Sequence, residues 1–217
     1  MVNITIPKYP VIIPLGSGNT QTAISNNNHQ WSVSIETNGY VVRSLSPNDV
    51  TEQFLSWFNE PNMLSGLNLE NLNFTIERLR SFTASFDNYR NYFLGIFYND
   101  EIFGFYTIDV NLVHRTGSIT TGIGNNKFLG KNTLRLTIDA VLDYFYASRN
   151  IEKFTARILS KNYAMLFNFR DNTRFFLEAH LKRECRAPDG RRLDLLIFAS
   201  HKDELSSTQS NERQTTT

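Results

Sequence analysis

The sequence predicts an α/β (α+β) domain whose central sheet is mixed but mostly antiparallel, with about six to seven strands flanked by about four helices. Three observations carry this prediction. β-branched and aromatic runs alternate with segments whose apolar residues repeat at helical spacing. Two pairs of those runs are joined by short turn signals that make antiparallel hairpins. A chain of 217 residues, 41% hydrophobic and 20% charged, also suits one domain with a substantial core.

Residues 1–37 carry the polar runs GSGNTQT and SNNNHQ and read as a leader outside the domain. The first strand is expected at Tyr40 to Ser44. Ser46, Pro47 and Asp49 then form a helix-start signature, and Val50, Phe54, Trp57 and Phe58 mark one helical face that stops before Pro61. Thr75 caps a second helix with Ile76, Leu79, Phe82 and Phe86 on its inner side. NYFLGIFYN and EIFGFYTIDVN flank Asn99-Asp100 and read as a hairpin. Arg115 to Gly124 forms a third run. The next helix carries Leu134, Ile138, Val141, Leu142 and Phe145, followed by the strand KFTARIL and a helix over 162–169. FFLEAHLKRE and RRLDLLIFAS close the domain as a hairpin around Pro188-Asp189-Gly190. The compact unit spans 38–200, and 201–217 is polar, aperiodic and expected to fray.

The most informative stretch is GSITTGIG, NNKFLGKN, TLRLTIDAVLDYF, from 117 to 145. A strand feeding a short loop that opens a helix directs unpaired N–H groups and the positive end of the helix dipole at one spot, which suits a phosphate or pyrophosphate. A dinucleotide fingerprint is excluded because Lys127 stands where the third glycine belongs. A P-loop is excluded because Gly130-Lys131 is followed by Asn132 and no glycine precedes it at the required spacing.

The segment Lys127-Phe128-Leu129-Gly130-Lys131-Asn132 resembles the pyrophosphate loop of the GNAT N-acyltransferase superfamily, Gln/Arg-x-x-Gly-x-Gly/Ala. Lys127 replaces Gln or Arg, and Asn132 replaces the last small residue. The element order resembles the same fold over most of the chain. LSWFNEP after the opening strand, and the Glu of FFLEAHLKRE, are similar to the subgroup of ribosomal-protein N-terminal and amino-sugar acetyltransferases.

The resemblance implies acetyl-CoA (acyl-CoA) as cofactor, an amine acceptor (small amine, amino sugar or protein N-terminus) and direct attack. It implies cofactor contacts from Ile123, Gly124, Lys127, Phe128, Leu129, Gly130, Lys131, Asn132 and Thr133, with Asn162 on the pantetheine. It also implies a homodimer. The glutamate and tyrosine usual in relatives are replaced by Thr120-Thr121 and Phe169, so Asp109, His114 and Tyr163 are the candidate proton-transfer groups. Trp57, Phe58, Tyr92, Phe103, Phe105 and Tyr106 are candidates for the acceptor wall. A non-catalytic acyl-CoA-binding or sensing domain is the alternative reading.

A net charge of +1 argues against a nucleic-acid surface, and no apolar run is long enough for a transmembrane helix. With Cys185 as the only cysteine, intramolecular disulfides and cysteine-based metal sites are excluded, and a cytoplasmic setting is expected.

Overall fold

The structure, a computed structural model, describes residues 31–70, 73–129 and 132–202. Eight strands form one sheet in the order β1-β2-β3-β4-β5-β6-β8-β7. They are β1 (Ser34–Thr37), β2 (Tyr40–Ser44), β3 (Asn91–Tyr98), β4 (Glu101–Asn111), β5 (Thr116–Ile123), β6 (Lys153–Leu159), β7 (Phe176–Arg186) and β8 (Arg192–His201). Five helices pack on it: α1 (Glu52–Trp57), α2 (Pro61–Leu67), α3 (Ile76–Ala84), α4 (Thr133–Ser148) and α5 (Tyr163–Arg170). Every strand pairing is antiparallel except β5 with β6, which the crossover through α4 makes parallel.

Two apolar clusters sit on opposite faces of the sheet. On one, Leu134, Ile138, Val141, Leu142 and Phe145 of α4 and Phe169 of α5 pack on Leu94, Ile108, Ile119, Phe154 and Phe198. On the other, Phe54 and Trp57 of α1 and Leu79 of α3 pack on Phe93, Phe97 and Phe105. A central sheet covered on both sides explains why β3 and β4 read as nearly continuous apolar runs. The hairpin between them turns on Asn99 and Asp100, both with positive φ (48° and 63°), as a two-residue primed turn requires.

Four sequence expectations need correction. The sheet gains β1, whose Ser34–Thr37 falls within the segment read as leader and pairs with β2. The helix expected from Pro47 is split into a 3-10 turn at Pro47–Asp49 and a separate α1 capped by Thr51, whose Oγ1 accepts from Phe54 N–H at 3.2 Å. Pro61 does not merely end α1. It opens α2 at the first helical position, where its missing N–H costs nothing. Phe86 falls beyond the end of α3.

Candidate active site

β5 and β6 run side by side only from Thr116/Lys153 to Ile119/Ala156. Beyond that pairing β5 continues to Ile123 along β4, while β6 continues to Leu159 along β8. A gap therefore opens between Thr120–Ile123 and Arg157–Leu159, bordered by unpaired backbone. Gly124 N–H donates to the carbonyl of Phe103 on β4 at 2.9 Å. Since alternate residues of a strand point their backbone groups to opposite sides, the N–H groups of Thr121 and Ile123 turn toward the gap.

The end of β5 is anchored through a bulge. Ile96 pairs with Gly104 and Phe97 with Ile102, so Phe103 is the extra residue in β4. Its carbonyl accepts from both Gly124 N–H (2.9 Å) and Asn125 N–H (3.1 Å), and its ring stacks on Phe128 of the loop at 4.2 Å and 15°. Asn125 Oδ1 accepts from Lys127 N–H (3.0 Å), and its Nδ2 donates to Glu101 Oε1 (2.9 Å). These contacts hold the loop leading to α4. Asn132 adopts the left-handed conformation (φ 55°, ψ 20°) as N-cap, without a side-chain cap bond, and Thr133 Oγ1 donates to the Phe128 carbonyl at 3.2 Å. The first turn of α4 holds no acidic residue, an arrangement that favours negative charge near its N-terminus.

The structure brings Ile123, Lys127, Phe128, Leu129, Asn132 and Thr133 to one end of the gap, with Lys127 and Leu129 exposed. Gly130 and Lys131 lie outside the described residues. Gly124 plays a different part from the one expected: its N–H is spent on Phe103, and the position of its missing side chain is filled by Trp57. A Cβ built there would lie 1.8 Å from Trp57 Cδ2. Asn162 caps α5, with Oδ1 accepting from Met165 N–H (3.2 Å), while Nδ2 donates to the Gly66 carbonyl of α2 (3.2 Å). That second bond was not legible in the sequence because α2 itself was missed.

The three proton-transfer candidates separate. Asp109 lies opposite Ser118 of β5, on the α1 face, next to the Thr107–Thr120 pair where the gap begins. Desolvation, reinforced by the Asp87 carboxylate, pushes its carboxyl above the usual range. Tyr163 begins α5 near the far wall of the gap and is 78% exposed. His114 lies in the turn that precedes β5, and the eight residues of that strand separate it from Gly124 by about 26 Å, too far for proton transfer at the gap.

The expected acceptor wall also divides. Trp57, Phe58 and Phe105 belong to the cluster between α1 and the sheet, but Tyr92, Phe103 and Tyr106 belong to the core under α4. Tyr106 donates to or accepts from Thr137 Oγ1 at 2.7 Å inside that core, and burial holds the Tyr92 phenol up at about 12. Phe169, at the position where relatives carry a tyrosine, is packed against Phe175 and Phe198.

An anion-ready helix N-terminus beside a parallel strand pair that parts midway defines a GNAT-type fold. The model of the acetyltransferase (GNAT) domain matches residues 42–197, and the chain belongs to that family. Comparison with curated proteins gives no match. Among solved structures, the chain is similar to the ribosomal L7/L12 α-N-protein acetyltransferase RimL in complex with coenzyme A: TM-score 0.71, 16% identity, covering 79% of this chain and 99% of that one. It is also similar to spermidine N-acetyltransferase from Vibrio cholerae in complex with CoA and spermine (0.67, 19%, 76% and 96%). A third is ribosomal-protein-S5-alanine acetyltransferase from Vibrio fischeri (0.68, 15%, 79% and 98%). At these identities the likeness is one of fold.

Proposed function

We propose that this protein is an acyl-CoA-dependent N-acetyltransferase that transfers an acetyl group to an amine acceptor by direct attack. The observation that carries the reading is the parting of β5 from β6 after Ile119/Ala156 beside the uncompensated N-terminus of α4. These residues fit the cofactor. The first amides of α4, aided by exposed Lys127 and Arg135, suit its diphosphate, and the free edge of β5 suits the amide-bearing pantetheine arm as an added strand would. Bound acyl-CoA supplies an activated acyl thioester. Ile123 N–H is oriented to donate to its carbonyl oxygen.

An acceptor amine is protonated near neutral pH and must lose a proton before it attacks. Asp109 stands opposite Ser118, five residues along β5 from Ile123 and so about 17 Å from an amine attacking there, too far to take that proton; water in the gap, with Tyr163 at its far wall, is the proton acceptor this reading leaves. The solved structures named above are of a spermidine N-acetyltransferase, a ribosomal L7/L12 α-N-protein acetyltransferase and a ribosomal-protein-S5-alanine acetyltransferase, which supports an amine acceptor here.

Phe169 favours a second reading, an acyl-CoA-binding domain without catalysis, because its buried ring offers no acid to the leaving thiolate. Calorimetry with acetyl-CoA, CoA and NAD, followed by thiol release with a panel of amines, decides between them. Binding of both CoA species but not NAD, with thiol release for at least one amine, supports the transferase. Binding without release from any amine in the panel favours the binding domain, and no CoA binding overturns both.

A further inference from the structure

The start of β4 holds the segment that follows Ile123. The Phe103 carbonyl accepts from Gly124 N–H and Asn125 N–H at 2.9 and 3.1 Å, and the Phe103 ring stacks on Phe128 at 4.2 Å. Two residues earlier, Glu101 Oε1 accepts from Asn125 Nδ2 at 2.9 Å and from Gln53 Nε2 of α1 at 3.5 Å. Asn125 is 9% exposed, and each of its backbone and side-chain polar atoms is engaged: Oδ1 accepts from Lys127 N–H at 3.0 Å, and its carbonyl accepts from Phe128 N–H at 3.0 Å. Among these partners Glu101 alone carries a charged acceptor, and it stands exposed beside the β3–β4 turn.

We infer that Glu101 is a positioning residue for the cofactor: by fixing Asn125 it sets the shape of the loop that receives acyl-CoA, an inference that rests on the acyl-CoA reading above. In that reading one molecule is held at two points, its thioester carbonyl by Ile123 N–H and its diphosphate by the first amides of α4. The segment after Ile123 sets the spacing of those points, and a loop already held in the bound shape costs binding less. Without Glu101 the nearly buried Asn125 amide lacks an acceptor, which favours looser arrangements that binding must then reverse. Charge alone predicts the opposite effect. A carboxylate near a loop that receives a diphosphate repels it, so its removal would strengthen binding if only its charge mattered. A weakened affinity therefore reports the bond to Asn125.

The test is calorimetry of CoA and acetyl-CoA on the full chain, with thermal unfolding of each variant. Glu101→Ala should bind acetyl-CoA about tenfold more weakly than the wild type, the scale of one lost hydrogen bond to a charged group. Glu101→Gln, which keeps an acceptor oxygen, should bind as the wild type does. Asn125→Ala removes the same bond, so adding Glu101→Ala to it should cost no further affinity. Thr75→Ala, which uncaps α3, is the control: it should lower stability without weakening the cofactor. Undiminished affinity in a folded Glu101→Ala protein overturns the inference, as do additive losses in the double variant. A loss in Glu101→Gln equal to that in Glu101→Ala would show that the acceptor oxygen is not what matters, and an equal loss in Thr75→Ala would make the effect one of general destabilisation; either overturns it as well. Absence of CoA binding to the wild type overturns the acyl-CoA reading itself, and this inference with it.

Discussion

The indole of Trp57 occupies the space that a side chain on Gly124 would need, with ring atoms Cδ2, Cγ and Cε3 all within 2.3 Å of the Cβ position. This contact joins α1 to the residue that follows β5. It gives Gly124 a reason to be glycine that has nothing to do with backbone conformation.

Gly124→Ala should therefore destabilise the fold by about 1–3 kcal/mol, the usual cost of overpacking, because Trp57 is buried among Phe54 and its neighbours and has little room to retreat. Trp57→Phe should relieve the clash, so the double variant should lose less than the sum of the two single ones. Denaturant unfolding of the four proteins measures that coupling, and strict additivity would contradict the packing described.

Asn162→Ala removes the α5 cap and the tie to α2 together. The cap alone is worth about 1 kcal/mol. Asn162→Asp keeps an oxygen for Met165 N–H but loses the donor to the Gly66 carbonyl, so it should spare most of the stability while speeding amide exchange in α2. Exchange in α2 unchanged by Asp would show that the bond to Gly66 does not restrain the helix.

Asp109 has a pH signature whose sign follows from its environment. Burial and the Asp87 charge raise its folded pKa above that of the unfolded chain, so the folded state holds the proton more tightly. The stability linked to that proton is fully present below the ordinary carboxylate range and is lost as pH rises through the folded value. Asp109→Asn should flatten the fall in stability over this window. Because Asp109 lies about 17 Å along the sheet from Ile123, the same variant should leave kcat/KM and the acidic limb of the rate profile unchanged. A lowered rate would instead place the acceptor near Ser118.

His114→Ala should alter stability by no more than about 0.5 kcal/mol and leave the pH–rate profile intact, because the residue is exposed in the turn remote from the gap. A shifted profile would place the reaction elsewhere on the sheet.

The strand KFTARIL is observed over Lys153–Leu159, and Thr75 caps α3 as its hydroxyl accepts Arg78 N–H. Such elements were legible because local periodicity and capping chemistry act within a few residues. The start of α4 was legible for the same reason. α2 was not, since Pro61 serves both as a stop and as a first helical residue, and PNMLSGL has too short an apolar pattern to decide between them. The roles of Gly124 and Asn162 depend on Trp57 and Gly66, partners that no local pattern connects to them.

By itself, the amino-acid sequence determined most of the strands and helices, though not β1 or α2, and the hairpin turns, because propensity, alternation and capping are properties of neighbouring residues. Only the tertiary structure decided where β5 and β6 part, that Asp109 faces Ser118 below the opening with His114 further back in the turn before β5, and that α2 spans the opening. Those outcomes depend on register and on packing between segments distant in the chain, and a one-residue change of register would turn each of these side chains to the other face.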